Sequence, residues 1–424
     1  MKINKMTIAV AALAMLAMTG CNKDQFDQNK YQGLVDTQFM IDYADPDHDW
    51  CLTKSDTITI NTSEEKIYSV QVLTADPYGT TKSEIAAEGV CYGNHATLAY
   101  TIPITQSTVY IAALDNEGSY LGVIPFQYGT EQIDLLSSQL TKGSSLTSPT
   151  AQTFTYLYES TFPHPDDFDY NDMVLRISKS MPNPGNAYIV DLSVKLEACG
   201  AGELYAAAIQ LAGIPYSAIS KVEIVGGKAM DEGYPIDPMF ITNKSTLQRG
   251  HNGNAVIRLF ECAQYALARN TDEWGDIAVI RYNTSHEVAE NYSAIVDPVT
   301  RTYRITFNSS EVARNFCFDH IDPFIIHEYN TGYWEVHTFP HRFEMLISNM
   351  DTNLRAYDYP VSWSLVIPKS DFRYCRQGIS LSSYNSTTGE VFGPYTDFTT
   401  WMQNHNNAQA RKWYETLNVP SLVY

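Results

Sequence analysis

Apolar side chains return at every second position in run after run along this chain, a period that suits a strand with one buried face. Ile58 and Ile60 open the series, followed by Tyr68, Val70 and Val72, by Leu98, Tyr100, Ile102 and Ile104, and by Val109, Ile111 and Ala113. Glycine, proline, asparagine or aspartate bounds each run, so the chain turns back often. The pattern predicts a small antiparallel β-sandwich over residues 36–128. Residues 129–152, rich in serine and threonine, read as a linker. Alternation then returns more strongly. Val190, Leu192, Val194 and Leu196 interleave with Asp191, Ser193, Lys195 and Glu197, and the pattern recurs at Tyr303, Ile305 and Phe307 and from Val361 to Ile367. The expected fold class is therefore mainly β, with the small N-terminal sandwich followed by a larger β-rich domain over 153–424 that carries a few short helices. The helical candidates are 255–268 and a C-terminal stretch in which Trp401, Trp413 and Leu417 line one face.

The first twenty residues are of another kind. Lys2 and Lys5 precede an apolar run from Ile8 to Met18, and Thr19 and Gly20 lead into Cys21. These are the three parts of a secretory signal. The run is about half the roughly 20 residues that a spanning helix needs. Ala17-Met18-Thr19-Gly20-Cys21 resembles a lipobox, with Met18 where leucine is usual, so Cys21 is the expected lipidation site. Residues 21–35 then read as a lipidated tether. Asn22 to Asp27 is similar to the short charged export signals that send Bacteroidetes lipoproteins to the outer face of the outer membrane.

Charge narrows the partners. The formal net charge is -20, and it becomes -22 once Lys2 and Lys5 leave with the signal. Such an acidic chain is a poor partner for nucleic acid or anionic lipid, and it is rich in oxygen ligands for hard cations. Besides Cys21, Cys51, Cys91, Cys199, Cys262, Cys317 and Cys375 are scattered without a CxxC pair, which argues against a metal-thiolate site. An oxidising compartment permits a Cys51–Cys91 disulfide, and buried free thiols fit the spacing equally well.

One short stretch concentrates acids. Asp167, Asp169 and Asn171 fall at every second residue, with Asp166 and Asp172 beside them, ahead of a strand expected from Met173 to Ile177. The 1, 3, 5 spacing is that of the start of a calcium loop, in which short acidic side chains surround one hard cation. The likeness to an EF-hand stops there, because position six is Asp172 rather than glycine and position twelve is Ser178 rather than glutamate. Asp167, Asp169, Asn171 and Asp172 are thus the candidate calcium ligands, with the run Asp45 to Asp49 as one further donor. The bland alternative is an Asx-rich turn that caps backbone amides. Separately, Asp56-Thr57-Ile58 resembles the Asp-Thr-aliphatic sequence at which Bacteroidetes O-glycosylate exported proteins, which makes Thr57 a candidate glycosylation site.

The string Asp167 to Val174, then Leu196 to Ala201, then Tyr333-Trp334-Glu335-Val336-His337, then Trp363 to Pro368, resembles the LruC-type domain, also known as the DUF4842 family. The order and spacing agree across roughly 150–424. Asp47-His48-Asp49-Trp50 is similar to a segment upstream of that domain in related chains. The resemblance implies an exported, often lipidated, β-rich protein of Bacteroidetes, from a family with no firmly assigned activity. It also implies a strand at Tyr205 to Leu211, where alanine content alone suggests helix.

No His-Glu-x-x-His, Gly-x-Ser-x-Gly or phosphate loop is present. The sequence reads as a non-enzymatic cell-surface lipoprotein, a binding or adhesion module for a glycan or host surface protein, with aromatics such as Tyr333 and Trp334 as a recognition surface unless they are packed in the core. A structural subunit of a fimbria-like assembly is the alternative, and a glycoside hydrolase or other secreted hydrolase a lesser one, because paired carboxylates abound. If lipid on Cys21 is the anchor, Cys21→Ala moves the protein from membrane to soluble fractions. Equal membrane retention of variant and wild type in a fractionation assay would contradict it.

Overall fold

The structure is a computed structural model that describes residues 44–160, 167–200, 202–227, 245–268, 281–285, 293–329, 332–342, 344–347, 361–384 and 387–424. Cys21 and Asp166 lie outside the described residues. Eight strands build the first unit: β1 (Thr53–Asn61), β2 (Ser69–Leu73), β3 (Glu84–Val90), β4 (His95–Pro103), β5 (Thr108–Leu114), β6 (Tyr120–Gln127), β7 (Gln132–Asp134) and β8 (Thr150–Ala151). They form two sheets of order β4-β1-β7 and β6-β5-β2-β3-β8. Ile58, Ile60, Val70, Val72, Leu98, Tyr100, Val109 and Ile111 meet between them as one core. The alternation read from the sequence is thus the inward face. Tyr68 departs from it, sitting just before β2 with its side chain exposed. The stretch 129–152, read as a linker, is paired chain: β7 runs parallel to β1, and β8 runs parallel to β3.

The second unit continues with β9 (Thr153–Tyr158), β10 (Met173–Ser180), β11 (Ile189–Ala198), β12 (Tyr205–Pro215), β13 (Ile219–Gly227), β14 (Leu247–Arg249) and β15 (Asn254–Phe260). Two short strands, β16 (Arg281–Tyr282) and β17 (Ser293–Ala294), precede β18 (Val299–Phe307), β19 (Ile321–Tyr329), β20 (Gly332–Val336) and β21 (Ser364–Ile367). A six-stranded sheet, β13-β18-β11-β10-β9-β21, faces a five-stranded one, β14-β15-β12-β19-β20. Val190, Leu192, Val194 and Leu196 of β11 share a core with Tyr205, Ala207, Ile209 and Leu211 of β12. On the opposite face of β12, Ala206 and Ala208 join Val256, Phe324 and Leu346 in a second cluster. A strand covered on both faces carries small residues, and this explains why an alanine-rich segment is strand here rather than helix.

The same two-sided burial corrects the helix expected over 255–268. Ala255, Ile257 and Leu259 enter the main core, Val256 enters the second cluster, and only Ala263–Ala268 is helical. At the C-terminus Trp401 and Trp413 belong to separate elements, the helix Asp397–Gln403 and the 3-10 turns Ala410–Glu415, and their ring centres lie 6.0 Å apart. Cys51 and Cys91, which the sequence allows as a disulfide pair, are free thiols.

Segment 44–52 crosses to this C-terminal region. Asp45 N donates to Met402 O, Asp45 Oδ2 is 2.7 Å from His405 Nδ1, and the Trp50 ring meets Trp401 edge-on at 5.5 Å. Trp50 N donates to His48 Nδ1 at 2.9 Å, so the contact between His48 Nε2 and Trp401 O at 3.1 Å requires Nε2 to carry the proton. That is a neutral imidazole, consistent with a pKa that burial lowers to about 4.

On the outer side of the five-stranded sheet a buried imidazole lies between two carboxylates. His337 Nδ1 is 2.6 Å from Asp322 Oδ2, and Nε2 is 3.1 Å from Glu335 Oε2. Asp322 also accepts from Gln210 Nε2, Thr338 N and Thr338 Oγ1, and Glu335 accepts from Leu346 N and Ile347 N. The triad thereby fastens Thr338, Leu346 and Ile347 over the sheet. Burial would lower the His337 pKa, but the two carboxylates outweigh it and raise the pKa to about 10. His337→Ala should therefore cost about 3–5 kcal/mol, because two buried carboxylates lose their counter-charge. The raised pKa means that wild type has the full contribution below pH ~6.5 and loses it as pH climbs to about 10. Denaturant titrations across that window check both points, and the alkaline decline should be absent in the variant.

Candidate metal centre

The acid-rich motif lies in the loop between β9 and β10. Two of its residues, Phe168 and Tyr170, have φ of 53° and 51°, a left-handed conformation that is costly for large side chains. Burial holds them there. Phe168 and Tyr170 are 1% and 0% exposed, and Tyr170 Oη donates to Ser362 O at 2.6 Å. With these two aromatics sunk in the core, the residues that alternate with them, Asp167, Asp169 and Asn171, carry the polar groups.

Glu159, Asp167 and Asp169 each place a carboxylate oxygen within 4.8 Å of the others. Glu159 and Asp169 are 1% and 0% exposed, whereas Asp167 is partly exposed. Glu159 Oε1 accepts from Tyr170 N at 2.5 Å, and Glu159 Oε2 has no hydrogen-bond partner. Asp169 Oδ1 accepts from Asn171 N and Oδ2 from Gly378 N at 2.6 Å. Burial, then the charges of Asp172, Asp167 and Asp169, push the Glu159 pKa well above the carboxylate range. Burial and the charges of Asp167 and Asp172 do the same to Asp169. Chemically this is an all-oxygen group with excess negative charge, partly open at Asp167.

Of the ligands expected from sequence, Asp167 and Asp169 are in the cluster. Asp172 lies outside it, with Oδ2 accepting from Ser160 N at 2.7 Å. Asn171 turns its amide to Cys375 O at 3.2 Å. Asp45, offered as a further donor, is bound by His405 instead. Glu159 was missed because a lone acid after the aromatic strand Tyr156-Leu157-Tyr158 reads as a solvated turn; only the fold shows it facing inward. The aromatics expected as a recognition surface are packed. Trp334 is 4% exposed in the main core, and Tyr333 is half-buried against the second cluster. Thr57 is exposed on β1, as a glycosylation acceptor must be.

The loop is also stitched to distant chain. Gly378 N reaches Asp169, Ser380 Oγ donates to Asp167 O, and Leu381 N donates to Phe168 O. From the other side Gly200 N donates to Asn171 O at 2.9 Å. A Cβ on Gly200 would overlap Asn171 Oδ1 and stand 2.8 Å from Asn171 O.

A second polar feature lies on the first unit. An open cleft of about 440 Å³ is lined by Asn61, Thr62, Asn94, His95 and Asp134 among others, and Asn61 Nδ2 donates to Asp134 Oδ1 at 3.0 Å.

The family described as a domain of unknown function, DUF4842, matches residues 185–414. Among solved structures, the chain is similar to a "putative lipoprotein" from Bacteroides ovatus, with TM-score 0.50 and 13% identity over 85% of this chain and 99% of that one. At that identity the likeness concerns the fold. The full-length major pilin SpaD from Corynebacterium diphtheriae gives TM-score 0.14 and 8% identity over 67% of this chain and 65% of that one, too low to carry an argument. No curated protein sequence matches the chain. Gly200→Ala should destabilise the protein by about 1–3 kcal/mol through overpacking against the loop. Chemical unfolding of the pair measures it, and an unchanged midpoint would show that the loop yields.

Proposed function

The chain belongs to the DUF4842 family, and from that membership we propose that it is an outer-membrane lipoprotein, anchored through Cys21, that displays a β-rich binding module at the cell surface. The ligand in this reading is a glycan, free or on a host surface protein, and the binding site is the cleft of the first unit. The observation that carries it is the cleft lining. Amide, carboxylate and imidazole groups of Asn61, Asn94, His95 and Asp134 surround one open cavity, and these planar donors and acceptors suit sugar hydroxyls. The lipobox and the fold likeness to the Bacteroides ovatus protein support the membrane tether.

A second reading has one observation of its own. β13 is an edge strand of the six-stranded sheet among the described residues, and its Ile224 and Val225 are 47% and 42% exposed. An apolar edge accepts an added strand, as a subunit of a fimbria-like assembly would.

The test is a glycan array probed with the full chain in detergent, followed by affinities of Asp134→Ala and His95→Ala. Glycan retention, weakened at least tenfold by each substitution (about 1.4 kcal/mol), supports the cleft. Retention of no glycan by wild type, together with concentration-dependent polymers in size-exclusion chromatography, replaces the first reading with the second.

A further inference from the structure

Beyond that reading, and independent of it, we propose that Glu159, Asp167 and Asp169 bind one calcium ion, and that the ion locks the loop 167–172 to β9 and to the segment 375–381.

Geometry carries the inference. The three side chains come from two places in the sequence, yet their oxygens fall within 4.8 Å of one another. Like charges so close, with two of the three carboxylates buried, repel strongly unless something of opposite sign lies among them. The groups that bear most on Glu159 are Asp172, Asp167 and Asp169, all acidic. Glu159 adds the second observation. Its side chain is 1% exposed, and Oε2 has no hydrogen-bond partner. A buried carboxylate oxygen left without a donor is costly, and a cation at the cluster removes that cost.

The donor chemistry selects the ion. All the ligating atoms are carboxylate oxygens, which hard cations prefer over zinc or copper. Calcium takes 6–8 oxygens at 2.3–2.6 Å in irregular geometry, so carboxylates fixed by the fold can serve it, with water completing the shell on the partly exposed Asp167 side. Magnesium demands near-ideal octahedral geometry and surrenders its water reluctantly. Asp169 is already oriented by backbone amides of Asn171 and Gly378, and Glu159 by that of Tyr170. Such bonds place oxygens for an ion without using all their lone pairs. The segment 375–381 thus reaches the ion through Gly378 and Asp169, so the ion couples the start of the second unit to a segment some two hundred residues later.

Thermal unfolding of the full chain in detergent, in excess calcium chloride, magnesium chloride or EGTA, tests the proposal. Calcium should raise the melting temperature by a few degrees over EGTA. Glu159→Gln keeps the shape of the side chain but removes a ligand charge. It should lose the calcium shift and melt higher than wild type in EGTA, because one repelling charge is gone. Asp172→Asn should keep the shift. Should either variant fail to fold, calorimetric titration of wild type with calcium chloride decides, the expected stoichiometry being one. A wild type indifferent to calcium, a Glu159→Gln that responds as wild type does, or equal shifts from magnesium and calcium would each overturn the assignment.

Discussion

The second unit depends on one short loop that every other part must agree with. Asp167–Asp172 has two bulky residues in the left-handed region, and its backbone and side chains are bonded by Gly200, Cys375, Gly378, Ser380 and Leu381. Left-handed aromatics are costly unless surrounding structure over-determines them. Here the rings of Phe168 and Tyr170 are anchored in the core, and strands from both sheets surround them. The bonds of the loop therefore need Glu159, Gly200 and the segment 375–381 in place together, a long-range dependence that favours a cooperative unit over a modular one.

This explains why sequence strings far apart share one identity. Asp167–Val174, Leu196–Ala201 and the Trp363 segment look unrelated along the chain. In the fold, Gly200 N reaches Asn171 O, Tyr170 Oη reaches Ser362 O, and Glu159 N reaches Trp363 O. The glycine is required by a close approach and the aromatics by burial. The string Tyr333 to His337 serves a different place, where His337, just past the end of β20, joins Glu335 of that strand to Asp322.

Much of the fold was legible because period-two alternation survives wherever a strand has one buried face, as at β1, β11 and β18. It failed where both faces are covered. The apolar run at 254–260 carries no polar face to set its period, so it resembled the start of a helix that forms only at Ala263. The candidate site was half legible. Asp167 and Asp169 announce themselves by spacing, whereas Glu159 depends on how β9 meets the loop, which no local pattern encodes. Tyr333 and Trp334 could be read either way, because an aromatic pair looks the same in a core and on a surface.

The packing of segment 44–52 has a mechanical side. Trp50 and His48 are wedged against Trp401, and Asp45 is held by Met402 O and His405. Tension applied through the N-terminal chain arrives first at this aromatic clamp, in the C-terminal region of the second unit, before it reaches β1. The small sandwich is shielded from the load by a contact made some 350 residues further along the chain, and it comes under tension only after Trp50 has left the core of the second unit.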